Sequence, residues 1–310
     1  MEINLSTLKT EQRNVNSMHI DNMSTMEILQ VINHEDMSVT KRVQEVLPQI
    51  EQTIDAVHQS LKRGGRLFYV GAGTSGRIGV LDAVECPPTF STPPDLIQAI
   101  IAGGSHAFVK AVEGAEDNEQ LGAQDLKDRS LTELDVVIGI AASGRTPYVA
   151  GALKYANEVG ARTVSLTGNK KAIISQFAEI NIEVETGPEV LTGSTRMKVA
   201  TAHKLILNMI TTTTMIKIGK VYENLMVDLK VSNQKLKERA KNIVTTITEV
   251  SYDEAEKVLE TTNYEVKPAI VMMKTGATLR EAKQYISMAN GFVRQAIEFA
   301  QKGRSHDDNL

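Results

Sequence analysis

The chain is poor in cysteine, in surplus basic charge and in long apolar runs, and each shortage removes a class of protein. Cys86 is the sole cysteine among 310 residues. One thiol can form neither an intramolecular disulfide nor a thiolate metal cluster, which fits a reducing compartment, and a cytoplasmic protein is expected. Lysine and arginine number 34 against 38 aspartates and glutamates, a formal net charge of −4. No global positive field exists to grip a nucleic-acid backbone or an acidic membrane, so neither is expected as a partner. No apolar run approaches the roughly 20 residues of a bilayer span, and the polar opening MEINLSTLKTEQRNVNSMHIDNMS lacks the apolar core of a signal peptide. The histidines show no metal-ligand spacing, and no metal is expected.

What is present supports a sizeable core: 42% of residues are hydrophobic, enough for one large domain and a smaller one. From Thr40 to Lys62 apolar side chains at Val43, Val46, Leu47, Ile50, Ile54, Val57 and Leu61 keep the three-four spacing of a helix with one buried stripe, ended by Gly64 and Gly65. RLFYV (66–70) reads as a strand, followed by a glycine-rich turn and a helix containing Ile78, Leu81 and Ala83. LIQAIIAGG (96–104), DVVIGIAAS (135–143), ARTVSLTG (161–168) and INIEVE (180–185) repeat the strand pattern, mostly with helical stretches between them. Apolar strands interleaved with helices predict an α/β fold: a doubly wound, mainly parallel sheet of five strands covered on both faces.

TRMKVATAHKLILNMITTTTMIKI (195–218) predicts a long apolar helix with a weak place at threonines 211–214. After NQKLKERAKNIVTTI (233–247) only helical patterns follow, and Ser251 with Glu254 and Thr278 with Glu281 fit capping boxes. The expected organisation is a helical arm (1–56), an α/β domain (57–220), a linking helix (221–249), a small helical domain (250–301) and a tail (302–310).

Ligands of doubly wound sheets bind beyond the carboxyl ends of the strands, where the strand order reverses. Two loops qualify. Gly71 to Arg77 offers Thr74 and Ser75 at a helix start, and AASGRTP (141–147) offers Ser143, Gly144, Arg145 and Thr146 before another. Backbone amides at a helix N-terminus, helped by hydroxyls, suit a phosphate dianion. Either loop alone is equally an ordinary capped turn; two with the same chemistry at one edge favour a phosphate ligand. Gly71, Gly73 and Gly76 match a dinucleotide fingerprint, but the next strand ends in AGGSHAF without the ribose-binding acid, and no Walker sequence occurs.

GAGTSGRIGVLDAVECPPTF, AVEGAEDN, VIGIAASGRTPYV and GPEVLTGSTRMK, in this order, resemble the successive motifs of the N-acetylmuramic acid 6-phosphate etherase family, in the sugar isomerase domain superfamily. The similarity runs from TEQRN (10–14) through KVYENLMVDL (220–229) and more loosely beyond. One departure stands where the family usually has Lys-Ala-Gly-Thr: this chain has Lys198, Val199, Ala200 and Thr201. The resemblance implies cleavage of the lactyl ether of N-acetylmuramic acid 6-phosphate by elimination and hydration, with no cofactor, in a homodimer whose sites are open to sharing between subunits. It also implies the roles of two glutamates: Glu85 as proton donor and Glu116 as general base. From the residues alone, Glu85 is expected in a turn stiffened by Pro87 and Pro88, in apolar surroundings that favour its protonated form.

The superfamily pattern implies phosphate recognition by Ser75, Ser143, Gly144 and Thr146, helped by Thr74 and Arg145. Ser194, Thr195, Arg196 and Lys198 are left between substrate contact and a role in capping the long helix or pairing subunits. His106 is open between a sugar contact and an ordinary surface histidine. Two other readings remain: a sugar-phosphate-responsive regulator, whose known form needs two such domains, and an aldose-ketose isomerase, which shares the proton abstraction but has no use for a second acid.

Overall fold

The computed structural model describes residues 8–110, 112–229, 231 and 233–307, the last five of these by backbone only. The chain divides into two compact units: one comprises residues up to Val84 with Asp95–Thr211, the other Glu85–Pro94 with the residues from Thr212 onward. Among the described residues no helix is long and apolar enough to cross a bilayer.

The first unit is built on a parallel sheet of β1 (Leu67–Gly71), β2 (Ile97–Ile101), β3 (Val136–Ala141), β4 (Arg162–Thr167) and β5 (Ile180–Glu183). Its spatial order is β2-β1-β3-β4-β5, with Gly71 level with Ile101 on one side and Ile140 on the other. Every residue of β1 and β3 is buried, as a sheet covered on both faces requires. The predicted five-stranded doubly wound fold is the observed one, with all five strands parallel.

The covering helices include α3 (Leu47–Lys62), α4 (Gly73–Phe90), α6 (Glu119–Asp128), α7 (Pro147–Val159) and α8 (Lys198–Lys217). The pair α6 and α7 approaches so closely that a Cβ on Gly122 would lie 1.9 Å from the Tyr148 carbonyl oxygen, and one on Gly151 1.9 Å from that of Glu119. The helix read as running from Thr40 to Lys62 is two, α2 (Val39–Gln44) and α3. Pro48 falls in the first turn of α3, where a residue without an N–H is tolerated, and so marks a helix start that periodicity passes over. The threonine run does not weaken α8: the Thr211 hydroxyl bonds the Leu207 carbonyl and the Asp82 carboxylate, and Thr214 is buried.

An N-terminal arm, which includes α1 (Thr25–Asp36), lies against the segment leading into α8. Asn14 Nδ2 donates to the Pro188 carbonyl at 3.1 Å and Ser17 Oγ to that of Val190 at 2.7 Å.

In the second unit a short hairpin, β6 (Val221–Tyr222) with β7 (Leu225–Met226), precedes α9 (Gln234–Thr248), α10 (Tyr252–Thr261), α11 (Val266–Thr275), α12 (Leu279–Met288) and α13 (Val293–Asp307). Both predicted capping boxes are present, at α10 and α12. Val244, Leu259, Ile270 and Val271 anchor a separate apolar core. The helix α13 extends through Asp307, into the stretch expected as a tail; 308–310 lie outside the described residues.

Candidate active site

The strand order reverses between β1 and β3, since the chain passes from β1 outward to β2 and later from β3 outward to β5. The two hydroxyl-glycine loops follow those two strands, so they open side by side at the switch point of the sheet. The first is shaped by its glycines. Gly73 holds φ +53, and a Cβ on Gly76 would lie 2.6 Å from Ile101 and 2.8 Å from the Gly71 carbonyl oxygen. These glycines let α4 begin directly at the sheet edge, with its first amides pointing beyond the strands and Thr74 and Ser75 in its first turn. Ser75 is buried and Thr74 half-buried.

In the second loop Gly144 stands at φ +72, and a Cβ there would lie 2.3 Å from that of Ala172. Only glycine fits. The Arg145 amide donates to Ser143 Oγ at 3.2 Å, while Thr146 is the N-cap of α7 and makes no side-chain cap bond.

A cavity of about 200 Å³ adjoins the first loop. Its lining includes Gly73 and Arg77 from α4, Ala102 after β2, and Glu113, Gly114 and Glu116. Gly114, at φ +74, turns the chain into the short helical turn Ala115–Asp117, which carries Glu116 as an exposed side chain. Glu116 is therefore brought to the first loop. Arg77, which sequence reasoning used only as the end of a loop, donates from Nε to the Phe108 carbonyl at 3.0 Å and from Nη2 to that of Ala107 at 2.8 Å. It ties α4 to α5 (His106–Val109); His106 itself is exposed.

Glu85 belongs to the second unit and corrects the expectation of a stiff turn in apolar surroundings. It is exposed and lies within α4, whose last turn holds Pro87 and Pro88. Without N–H groups the two prolines forfeit the helical bonds to the Ala83 and Val84 carbonyls, and Ser91, at φ +50, closes the helix with its amide donating to the Pro87 carbonyl at 3.0 Å.

Lys198 is not open to substrate. Its ammonium is buried and bonds Glu35 Oε2 at 2.6 Å, a side chain 11% exposed. The amides of Lys198 and Val199 donate to the buried Glu189 carboxylate at 3.0 Å each, so Glu189, not Ser194 or Thr195, supplies the side-chain cap of α8. Burial raises the pKa of Glu189 against the lowering pull of those amides. Ser194 and Thr195 stay half-buried and Arg196 exposed, so a ligand or partner contact stays open for these three. Val199 packs on Gly168: a Cβ on that glycine would lie 2.8 Å from the valine.

Two buried groups had no role assigned from the sequence: Asp82 went unnoticed, and His203 read as an ordinary surface or satisfied histidine. Asp82, inside α4, accepts from Tyr69 at 2.9 Å, Asn208 at 2.6 Å and Thr211 at 3.1 Å, joining α4 to β1 and α8. A lone acid within VLDAV was the available signal. Burial raises its pKa despite these donors. His203 on α8 is buried, bonded to the Thr167 backbone, with Nε2 lacking a partner among the described residues. Burial pushes its pKa down to about 4, the Thr167 bond opposing.

The sign of that shift gives a test. As pH falls below 6.5 the unfolded chain takes up this proton first, so the stability His203 permits is present at neutral pH and lost toward pH 4, by about 3 kcal/mol in full. Asp82 and Glu189, raised by burial, act in the opposite direction. Urea melts at pH 7 and 5.5 should show wild type losing about 1 kcal/mol more than His203→Gln between the two; equal losses would contradict a buried neutral imidazole.

A switch-point sheet with two hydroxyl-glycine loops and an acid at the same edge defines a sugar isomerase type of α/β domain. Family models agree: the glucokinase regulatory protein N-terminal SIS domain matches residues 45–157, the SIS domain residues 119–211, and the C-terminal lid domain of glucokinase regulatory protein residues 223–269. Over 296 residues the chain is 56% identical to the N-acetylmuramic acid 6-phosphate etherase of Bacillus subtilis, covering 96% of this chain and 97% of that one. It is likewise 56% identical over 295 residues to N-acetylmuramic acid 6-phosphate etherase 2 of Lactiplantibacillus plantarum, covering 95% and 100%. The chain belongs to the N-acetylmuramic acid 6-phosphate etherase family. A phosphoheptose isomerase structure from Neisseria gonorrhoeae aligns with 62% of this chain and 98% of its own, at 17% identity and a TM-score of 0.48.

Proposed function

We propose that this protein cleaves the D-lactyl ether of N-acetylmuramic acid 6-phosphate, giving N-acetylglucosamine 6-phosphate and D-lactate in the recycling of cell-wall amino sugars. The observation that carries this reading is the meeting of Glu116 with the phosphate loop of α4 around one cavity, in a chain 56% identical to etherases over nearly its whole length.

The chemistry follows from the bond. An ether has no carbonyl to attack and an alkoxide leaves poorly. In the open-chain sugar, carbon 2 adjoins the aldehyde, so Glu116 as base removes its proton, and the electron pair forms the double bond to carbon 3. The carbon 3 to oxygen bond breaks, and the oxygen takes a proton from Glu85 as it departs on lactate. Water then adds at carbon 3, and a proton returns to carbon 2. The enzyme is on this reading a carbon-oxygen lyase. Positioned acids and bases typically contribute about 10²- to 10⁴-fold each.

The first turn of α4 with Thr74 and Ser75, and the loop Ser143 to Thr146, are assigned to the phosphate. The proposal includes a homodimer, a cytoplasmic site of action and no cofactor.

Purified protein should release D-lactate from N-acetylmuramic acid 6-phosphate without added metal or nucleotide. In oxygen-18 water the label should enter the sugar hydroxyl at carbon 3, whereas label in lactate would contradict elimination. No lactate release, together with tight binding of fructose phosphates, would favour the regulator instead.

A further inference from the structure

The helical unit contains a cavity that the proposed reaction leaves unused. It has a volume of about 480 Å³, within the range of roughly 300–1,000 Å³ common for small-molecule sites. Val227, Leu229, Val266 and Ile286 give it an apolar wall, and Asp228 and Lys267 a polar one.

The charges around Asp228 do not balance. Lys220 Nζ and Lys267 Nζ both donate to its Oδ2, at 2.7 and 2.9 Å. Two ammonium groups on one carboxylate leave one positive charge over. A second pair in the lining, Lys283 with Glu265 at 2.7 Å, is neutral in itself and does not remove the surplus. Water does not disperse it as it would at an open surface, because the side chains of Lys267, Lys220 and Asp228 are only 10%, 21% and 27% exposed. Desolvation lowers the pKa of Lys267, with Asp228 opposing.

Three lining residues that are not glycine also hold left-handed backbone: Ser91 at φ +50, Asn263 at +51 and Tyr264 at +60. Such conformations cost free energy and gather at ligand clamps, so their concentration here is consistent with a built cavity.

We propose that this cavity binds a small organic monocarboxylate, its carboxylate set against Lys267 and its body against the apolar wall, while Lys220, outside the lining, neutralises Asp228 and leaves the Lys267 charge to the ligand. A monoanion matches the surplus; a phosphate dianion would exceed it by one charge beside Asp228. The inference does not depend on the reaction proposed above, although the D-lactate that reaction would release belongs to the same chemical class.

The test is calorimetric and NMR titration of the full chain with butyrate at constant ionic strength and about pH 8, where inorganic phosphate is mainly the dianion, against n-butanol and inorganic phosphate. Saturable, roughly millimolar binding of butyrate is expected, stronger than that of the other two, with shifts centred on Tyr264, Val266 and Ile286. Asp228→Asn removes the competing carboxylate and should tighten butyrate binding roughly tenfold. Lys267→Met should abolish it. If that variant does not fold, Lys220→Met, which keeps the Lys267–Asp228 pair, carries the same expectation. Folded Asp228→Asn that binds butyrate no more tightly than wild type would show that the two lysines serve only to hold the hairpin to α11. Butyrate binding no stronger than butanol or phosphate would overturn the monocarboxylate.

Discussion

Glu116→Gln is expected to lower kcat for lactate release by about 10²- to 10⁴-fold, the loss typical of a general base, while KM changes little. The substitution keeps the size and hydrogen-bonding reach of the side chain and removes only its capacity to accept a proton. The ligand groups assigned to phosphate, in the first turn of α4 and in the loop from Ser143 to Thr146, are untouched. Binding of N-acetylglucosamine 6-phosphate should therefore persist. The isotope readout isolates the step: in heavy water the wild type should place deuterium at carbon 2 of the product, and the variant should lose this exchange together with the turnover.

Glu113 lines the same cavity and is likewise exposed, which makes Glu113→Gln the appropriate control. A merely electrostatic role for acids near a helix start would make the two variants alike, with small effects on stability and none on exchange. Equal, modest losses in Glu113→Gln and Glu116→Gln would thus remove Glu116 from the chemistry. Glu116→Asp, which retains a carboxylate at shorter reach, should recover part of the exchange.

The strands were legible because each is an apolar or β-branched run between turn residues, a purely local signal; the buried strands β1 and β3 are the plainest cases. Their order was not, because the reversal between β1 and β3 is a pairing of segments about 70 residues apart, which no local pattern encodes. It is that order which makes two ordinary-looking capped turns neighbours. The glycines of the first loop illustrate the same limit: their spacing suggested a dinucleotide, while their contacts show them making room for α4 against Ile101 and Gly71. ECPP was misread for a different reason. Two successive prolines signal the end of a helix, but α4 runs on through Pro87 and Pro88 to Phe90, carrying the loss of their two backbone bonds in its last turn. Lys198 was the least legible, since its partner Glu35 lies 163 positions away; before a helix, a lysine near hydroxyls reads as a ligand group.

That pairing underlies the second large effect. Lys198→Met should destabilise the protein by about 3–5 kcal/mol, the range for breaking one partner out of a buried ion pair. The ammonium side chain is 3% exposed, and methionine fills its volume, so the penalty comes from the carboxylate left behind. Glu35 would retain Asn16, which donates to its Oε1 at 2.8 Å, but lose its only ammonium in that pocket among the described residues. Burial by itself raises the pKa of Glu35; the bonds from Lys198, Asn16 and Asn14 outweigh it and hold the group below its ordinary value. A lowered carboxyl pKa stabilises above the unfolded value of about 4.5 and loses that contribution as pH falls below it through the lower folded value. The deficit of Lys198→Met should accordingly be largest at neutral pH and shrink toward pH 4, as Glu35 takes up a proton. The double variant Glu35→Leu with Lys198→Met removes both charges and should recover most of the stability. Chemical denaturation at pH 7 and pH 4.5 across the three variants decides it. A single variant no more damaging than the double would mean that Glu35 finds water or another donor, and that the arm is held to the loop before α8 by its other hydrogen bonds, among them those of Asn14 and Ser17 and that from the Gly193 amide to the Thr10 carbonyl.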